Sequence, residues 1–227
     1  MPSPELIRRL LAEFLGTLAI VATVIGTGHM VEVLGSDSTS GLILMALAVG
    51  GTLFVAITLL LPISGAHFNP AVTMVLGMQR RISFGVGFAY ISVQILGGIA
   101  GAIIANLMFQ AELMSASSGN RSNPGTMFAE VIATFGLVFL ILMLVRQEKL
   151  QLIAPAVALW IIAGHFFTSS TSLANPAVTI GRAFSDSATG VDWAAVLSFI
   201  PMQLVGGLLA LLVFRIFYPT KTKEQDV

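Results

Sequence analysis

Two stretches decide the fold: His67-Phe68-Asn69-Pro70-Ala71-Val72-Thr73 and Leu173-Ala174-Asn175-Pro176-Ala177-Val178-Thr179. In each, an asparagine caps a helix start and a proline follows in the first turn, where its missing N–H costs nothing. The apolar residues after each proline are too few to cross a bilayer, which takes about 20. Both stretches lie in connectors, residues 62–81 and 168–192, between long apolar segments. Irregular backbone at membrane depth must be buried or line a watery cavity. Each stretch is therefore expected to be a re-entrant half-helix, with the two N-termini meeting at the midplane of a membrane. Two capped surface helices are the plainer alternative, but they leave the recurrence of the phrase unexplained.

Around these connectors the chain is 56% hydrophobic and only 10% charged, against roughly 25% charged in soluble domains. Its mean hydropathy is +0.93. Six stretches are long enough to span about 30 Å of hydrocarbon: residues 6–28, 41–61, 83–107, 127–145, 150–167 and 193–217. The first continues the pattern of the rest and is not read as a cleaved signal peptide. Net charge is zero, so nothing favours nucleic acid, and the lack of cysteine excludes disulfides and thiol chemistry. His29, His67 and His165 form no metal-ligand spacing, and no cofactor is expected.

Charge sets the orientation. Arg8, Arg9, Arg80, Arg81, Arg146, Lys149, Arg215, Lys221 and Lys223 fall on one side, nine of the eleven Lys and Arg; only Arg121 and Arg182 fall opposite. The positive-inside rule places both termini in the cytoplasm.

The halves repeat, in one channel domain over 1–227 with units of approximately 1–110 and 122–220. Ala12-Glu13-Phe14-Leu15-Gly16-Thr17 matches Ala129-Glu130-Val131-Ile132-Ala133-Thr134, and Val93-Gln94-Ile95-Leu96-Gly97-Gly98 matches Met202-Gln203-Leu204-Val205-Gly206-Gly207. Three spans per unit force the second to insert upside down, and such repeats place a site at the midplane. The expected fold is an all-α membrane protein: six transmembrane helices plus two re-entrant half-helices in an inverted repeat.

At the midplane, Asn69 and Asn175, with Ala71 and Ala177, would offer amide donors and two positive dipole ends. Hydroxyl compounds would pass and cations would be repelled. Glu13 and Glu130 lie deep in their spans and need partners. They are read as acceptors for the backbone of the re-entrant loops, with a proton relay as the alternative. Gln94 and Gln203 are read as satisfying polar backbone in the same way, with pore lining as the alternative. Gly97 and Gly101 form a small-xxx-small pattern for close helix contact.

These features resemble the aquaporin, or major intrinsic protein, family over nearly the whole chain. The resemblance implies a passive channel for small neutral molecules, and a homotetramer with one pore per subunit. It also implies a second constriction, normally with an arginine directly after the second Asn-Pro-Ala box, where this chain has Val178. Carried over by spacing from the boxes, the other positions are Val49, Ala163 and Ser172, with Gly164 the rival of Ala163. No member of this set is large or charged, which favours solutes larger than water. The set resembles that of bacterial members associated with arsenic detoxification, which conduct arsenous acid and methylated arsenicals. A bacterial inner membrane follows from the same resemblance.

The expected cargo is therefore arsenite, methylated arsenicals and glycerol-like polyols, with some water. A water or hydrogen peroxide channel is the alternative within the fold, and a proton-coupled transporter using Glu13 and Glu130 the alternative outside it. No nucleophile constellation suggests an enzyme. His67 is placed at the cytoplasmic mouth. Arg182, one turn beyond Val178, is read as either lending charge to the vestibule or pairing with Asp186. His165 is expected to turn away from the pore, and His29 to be interfacial.

Overall fold

A computed structural model describes residues 3–219. Lys221 and Lys223 of the expected cytoplasmic tail lie outside them. The described residues form α1 (Pro4–Val33), α2 (Ser38–Ser64), α3 (Pro70–Met78), α4 (Phe84–Met108), α5 (Pro124–Arg146), α6 (Ile153–Phe167), α7 (Pro176–Arg182) and α8 (Trp193–Phe217), with a 3-10 turn at Leu150–Leu152 leading into α6. Five of these helices, and α6 together with its 3-10 turn (Leu150–Phe167), are long and apolar enough to cross a membrane. The two short ones, α3 and α7, are the half-helices expected after the Asn-Pro-Ala boxes. The first span is longer than its apolar run suggested, because Ser3 caps it through the Leu6 N–H and it continues to Val33.

Helices pack in the same way in both halves. α1 lies against α4 and α5 against α8, while α2 against α6 joins the halves. Two glycines allow the equivalent contacts. A Cβ at Gly97 of α4 would stand 2.5 Å from the Phe14 carbonyl oxygen of α1, and one at Gly206 of α8 would stand 2.5 Å from that of Val131 of α5. Any side chain there would drive the backbones apart, so glycine sets the spacing of both pairs. Much of the outward surface is apolar, with Leu47, Phe88, Leu159, Leu197 and Ile216 exposed. Such a surface suits lipid or neighbouring subunits.

Candidate functional site: a cavity between two half-helices

The two loops before the half-helices adopt a backbone few sequences would choose. Ala66 and Phe68 have φ of 47° and 48°, and Ser172 and Ala174 have φ of 54° and 49°. Left-handed residues other than glycine cost about 1–3 kcal/mol each and persist only when their surroundings hold them. Buried carboxylates do the holding. Glu13 accepts the backbone N–H of His67 (3.0 Å) and Phe68 (2.7 Å), with Ser64 Oγ and Gln94 Nε2 as further donors. Glu130 accepts the backbone N–H of Leu173 (3.0 Å) and Ala174 (2.9 Å), with Gln203 Nε2 at 2.6 Å. Each glutamine amide also donates to a half-helix threonine, Gln94 to Thr73 and Gln203 to Thr179. All four side chains are fully buried.

The asparagines then tie the loops together. Asn69 Oδ1 caps α3 by accepting the Ala71 N–H, and Asn175 Oδ1 caps α7 by accepting those of Ala177 and Val178. Each amide nitrogen crosses to the other loop, Asn69 to the Ala174 carbonyl and Asn175 to that of Phe68. One N–H of each amide remains for the cavity, because an amide carries two.

A cavity of about 330 Å³ runs past both asparagines. Its wall is mostly aliphatic, with Ile20, Val24, Leu53, Ile57, Leu137 and Val157 among its residues. Besides the two asparagines, polar groups are few: Arg9, Ser64, His67 and Arg81 in the half of α3, and His165, Thr171, Ser172 and Arg182 in the half of α7. Val49, Ser172 and Val178 also line it and are almost fully buried. The His67 ring is fixed by Nδ1 against Thr73 Oγ1 at 3.1 Å and by its edge contact with Tyr90.

A family model described as major intrinsic protein matches residues 1–172. The chain belongs to the major intrinsic protein family. It is a multi-pass membrane protein of the channel type for small solutes. It is 38% identical over 211 residues to aquaglyceroporin AqpS of Rhizobium meliloti (strain 1021), covering 93% of this chain and 90% of that protein. It is 31% identical over 236 residues to aquaporin TIP1-1 of Arabidopsis thaliana, covering 98% of this chain and 91% of that one. Its fold is shared with the X-ray structure of the aquaglyceroporin from Plasmodium falciparum: TM-score 0.74, 21% identity, 94% of this chain and 95% of that one.

Three placements within this channel fold differ from the sequence expectation. Ala163 is exposed and off the cavity wall. The wall stripe of α6 is Val157, Ile161 and His165, four residues apart. Two residues along a helix turn a side chain about 200°, so Ala163 shares the outer stripe of Leu159 and Phe166 instead. His165, expected to face away, is therefore on the wall, with Nδ1 against the Ile161 carbonyl at 2.7 Å. Gly164 packs against Ser172, where a Cβ would meet its side chain at 2.5 Å. Ala71 and Ala177 are the third difference. They are wholly buried behind the wall, and their backbone N–H groups serve the asparagine caps.

Arg182 does not pair with Asp186, whose Oδ1 accepts from the backbone N–H and Oγ of Ser118. It is 3% exposed and lines the cavity. His29, expected to be interfacial, is buried within the protein, with Nε2 3.0 Å from Asn106 Oδ1.

Proposed function

We propose that this protein is a passive channel for small neutral hydroxylated solutes, namely glycerol-like polyols, arsenous acid and methylated arsenicals, together with water. The observation that carries this reading is the set Val49, Ser172 and Val178 on the cavity wall. None of the three fills space or carries charge as an arginine at Val178 would, so the passage there admits a solute wider than water. The similarity to aquaglyceroporin AqpS supports the glycerol and water part of this cargo. Aliphatic walls bind such solutes weakly, and a conducted molecule must leave as readily as it enters.

Asn69 and Asn175 act in this reading as the midplane donors, and His67 borders the α3 end. The N-termini of α3 and α7 converge on the same point, and their dipoles oppose cations. Glu13 and Glu130 act as scaffold rather than as a proton relay, since their oxygens are occupied by loop N–H groups and glutamine amides. Both termini lie in the cytoplasm at a bacterial inner membrane, and the apolar outer faces support assembly as a homotetramer. The inverted units, approximately 1–110 and 122–220, are supported by the equivalent helix pairs.

Stopped-flow light scattering on proteoliposomes tests this, with water, glycerol and neutral arsenous acid as probes. Glycerol and arsenous acid should equilibrate faster than in empty liposomes, with no dependence on a proton gradient. Acceleration of water alone would shift the assignment to a water or peroxide channel. Flux that follows an imposed proton gradient would replace it with a transporter.

A further inference from the structure

The half of the cavity beside α7 holds two titratable side chains outside the expected filter positions. His165 lies near the end of α6, beyond Ile161, and Arg182 closes α7, one turn beyond Val178. Both line the cavity and both are more than nine-tenths buried.

Arg182 is held by only one of its donors. Its Nε–H reaches the Thr189 carbonyl, Nη2 is buried with no hydrogen-bond partner, and Nη1 makes no hydrogen bond among the described residues. No carboxylate pairs with it among those residues. Asp186 is taken by Ser118, and Glu130 by Leu173, Ala174 and Gln203. A buried guanidinium without an acceptor is costly. Nη1, which is not among the fully buried unpaired atoms, is the nitrogen left to the cavity that Arg182 lines.

The position of this guanidinium is built rather than incidental. Arg121 grips the loop on both sides of Thr189, with Nε donating to the Gly190 carbonyl at 2.9 Å and Nη2 to that of Ala188 at 2.8 Å. Thr189 Oγ1 donates to the Val24 carbonyl, and the Val191 N–H returns to the Arg182 carbonyl. Thr189 is thus a fixed anchor, and Arg182 is fixed through it. On α6, which lines the same cavity, the His165 Nδ1–H is committed to the Ile161 carbonyl. In that tautomer Nε2 is the acceptor of the ring.

We propose that Arg182 and His165 form a solute station at the α7 end of the cavity. The guanidinium donates to a solute oxygen, and His165 Nε2 accepts from a solute hydroxyl. The ligand class is a neutral compound with several hydroxyls, because each O–H offers both an acceptor and a donor. The charge absent at Val178 is supplied from one turn further along the same half-helix, without narrowing the passage there. Thr171 and Ser172, whose hydroxyls have no protein partner among the described residues, border the same space.

This station rests on the channel reading, and one experiment separates the two. Full-length protein in proteoliposomes is assayed for glycerol and water flux as wild type, Arg182→Gln, Arg182→Lys and His165→Leu. Glutamine keeps a donor for Thr189 at the place of the guanidinium Nε, and leucine is close to histidine in size, so neither replacement narrows the passage. The glycerol-to-water ratio should fall about fivefold in Arg182→Gln and in His165→Leu, one net hydrogen bond's worth. Arg182→Lys should restore most of it. An unchanged ratio in both uncharged variants overturns the station, as does an equal fall in Arg182→Lys, which would make Arg182 purely structural. Should Arg182→Gln fail to assemble, an unchanged ratio in His165→Leu overturns it alone. A wild type no faster than empty liposomes instead overturns the channel reading itself.

Discussion

Asn69 and Asn175 each donate a side-chain N–H to the carbonyl that immediately precedes the other: Asn69 Nδ2 to Ala174 O at 2.7 Å, and Asn175 Nδ2 to Phe68 O at 2.8 Å. The two loops are thereby locked to each other at the point where their helices begin. One residue type serves as helix cap, cross-link and cavity donor, because an amide has both an acceptor oxygen and two N–H groups. Only asparagine has the length and both functions, since aspartate lacks the donor.

Asn69→Asp should admit cations. The carboxylate would offset the dipole of α3 and face the Ala174 carbonyl without a proton to share. The lost cross-link should also cost about 1–3 kcal/mol of stability, the range for a buried acceptor left unpaired. Conductance in planar bilayers reads the first effect and thermal unfolding in detergent the second. Continued cation exclusion in this variant would remove the dipole account.

Val178→Arg should lower glycerol flux more than water flux. Val178 is 5% exposed on the cavity wall, and arginine there adds bulk and charge to the wall it shares with Val49 and Ser172. Unchanged solute selectivity in proteoliposomes would take Val178 out of the filter.

Glu13→Ala should cost more stability than Glu13→Gln. Alanine leaves the His67 and Phe68 N–H groups buried without their acceptor, at about 1–3 kcal/mol each. Glutamine keeps one oxygen for them. Heating followed by size-exclusion chromatography in detergent orders the variants, and equal midpoints would contradict the scaffold role.

Acid should loosen the loop that follows α7. Two hydrogen bonds from Ser118, one from its backbone N–H and one from its hydroxyl, hold the Asp186 carboxylate below the usual range. A lowered folded pKa means that the contact is fully present above the unfolded value, about 3.9, and is lost as pH falls through the folded one. Hydrogen exchange at the Ser118 amide should rise over that window. Asp186→Asn should show weakened protection already at neutral pH and little further change on acidification.

Span number, half-helices and the pairing of each glutamate with a loop were legible because they depend on runs and repeats along the chain. About 20 apolar residues must cross a bilayer, and Asn-Pro before a short apolar run marks a helix start wherever it occurs. Residues of the cavity wall were legible where a motif anchors them, as Asn175 and the adjoining α7 anchor Val178, and at Val49, reached by counting back from Asn69. Ala163 and His165 show the limit. Counting back from Asn175 passes through residues 168–175, where Thr171, Ser172 and Ala174 take left-handed backbone, and there the count falls out of register with α6, whereas the count back from Asn69 keeps register with α2. Only the packing of α6 against α2 and α5 decides which of its faces meets the cavity. The same holds for Arg182. Its sequence position offers both Asp186 and the cavity, and the fold of residues 184–192 gives Asp186 to Ser118 and leaves the guanidinium to the cavity.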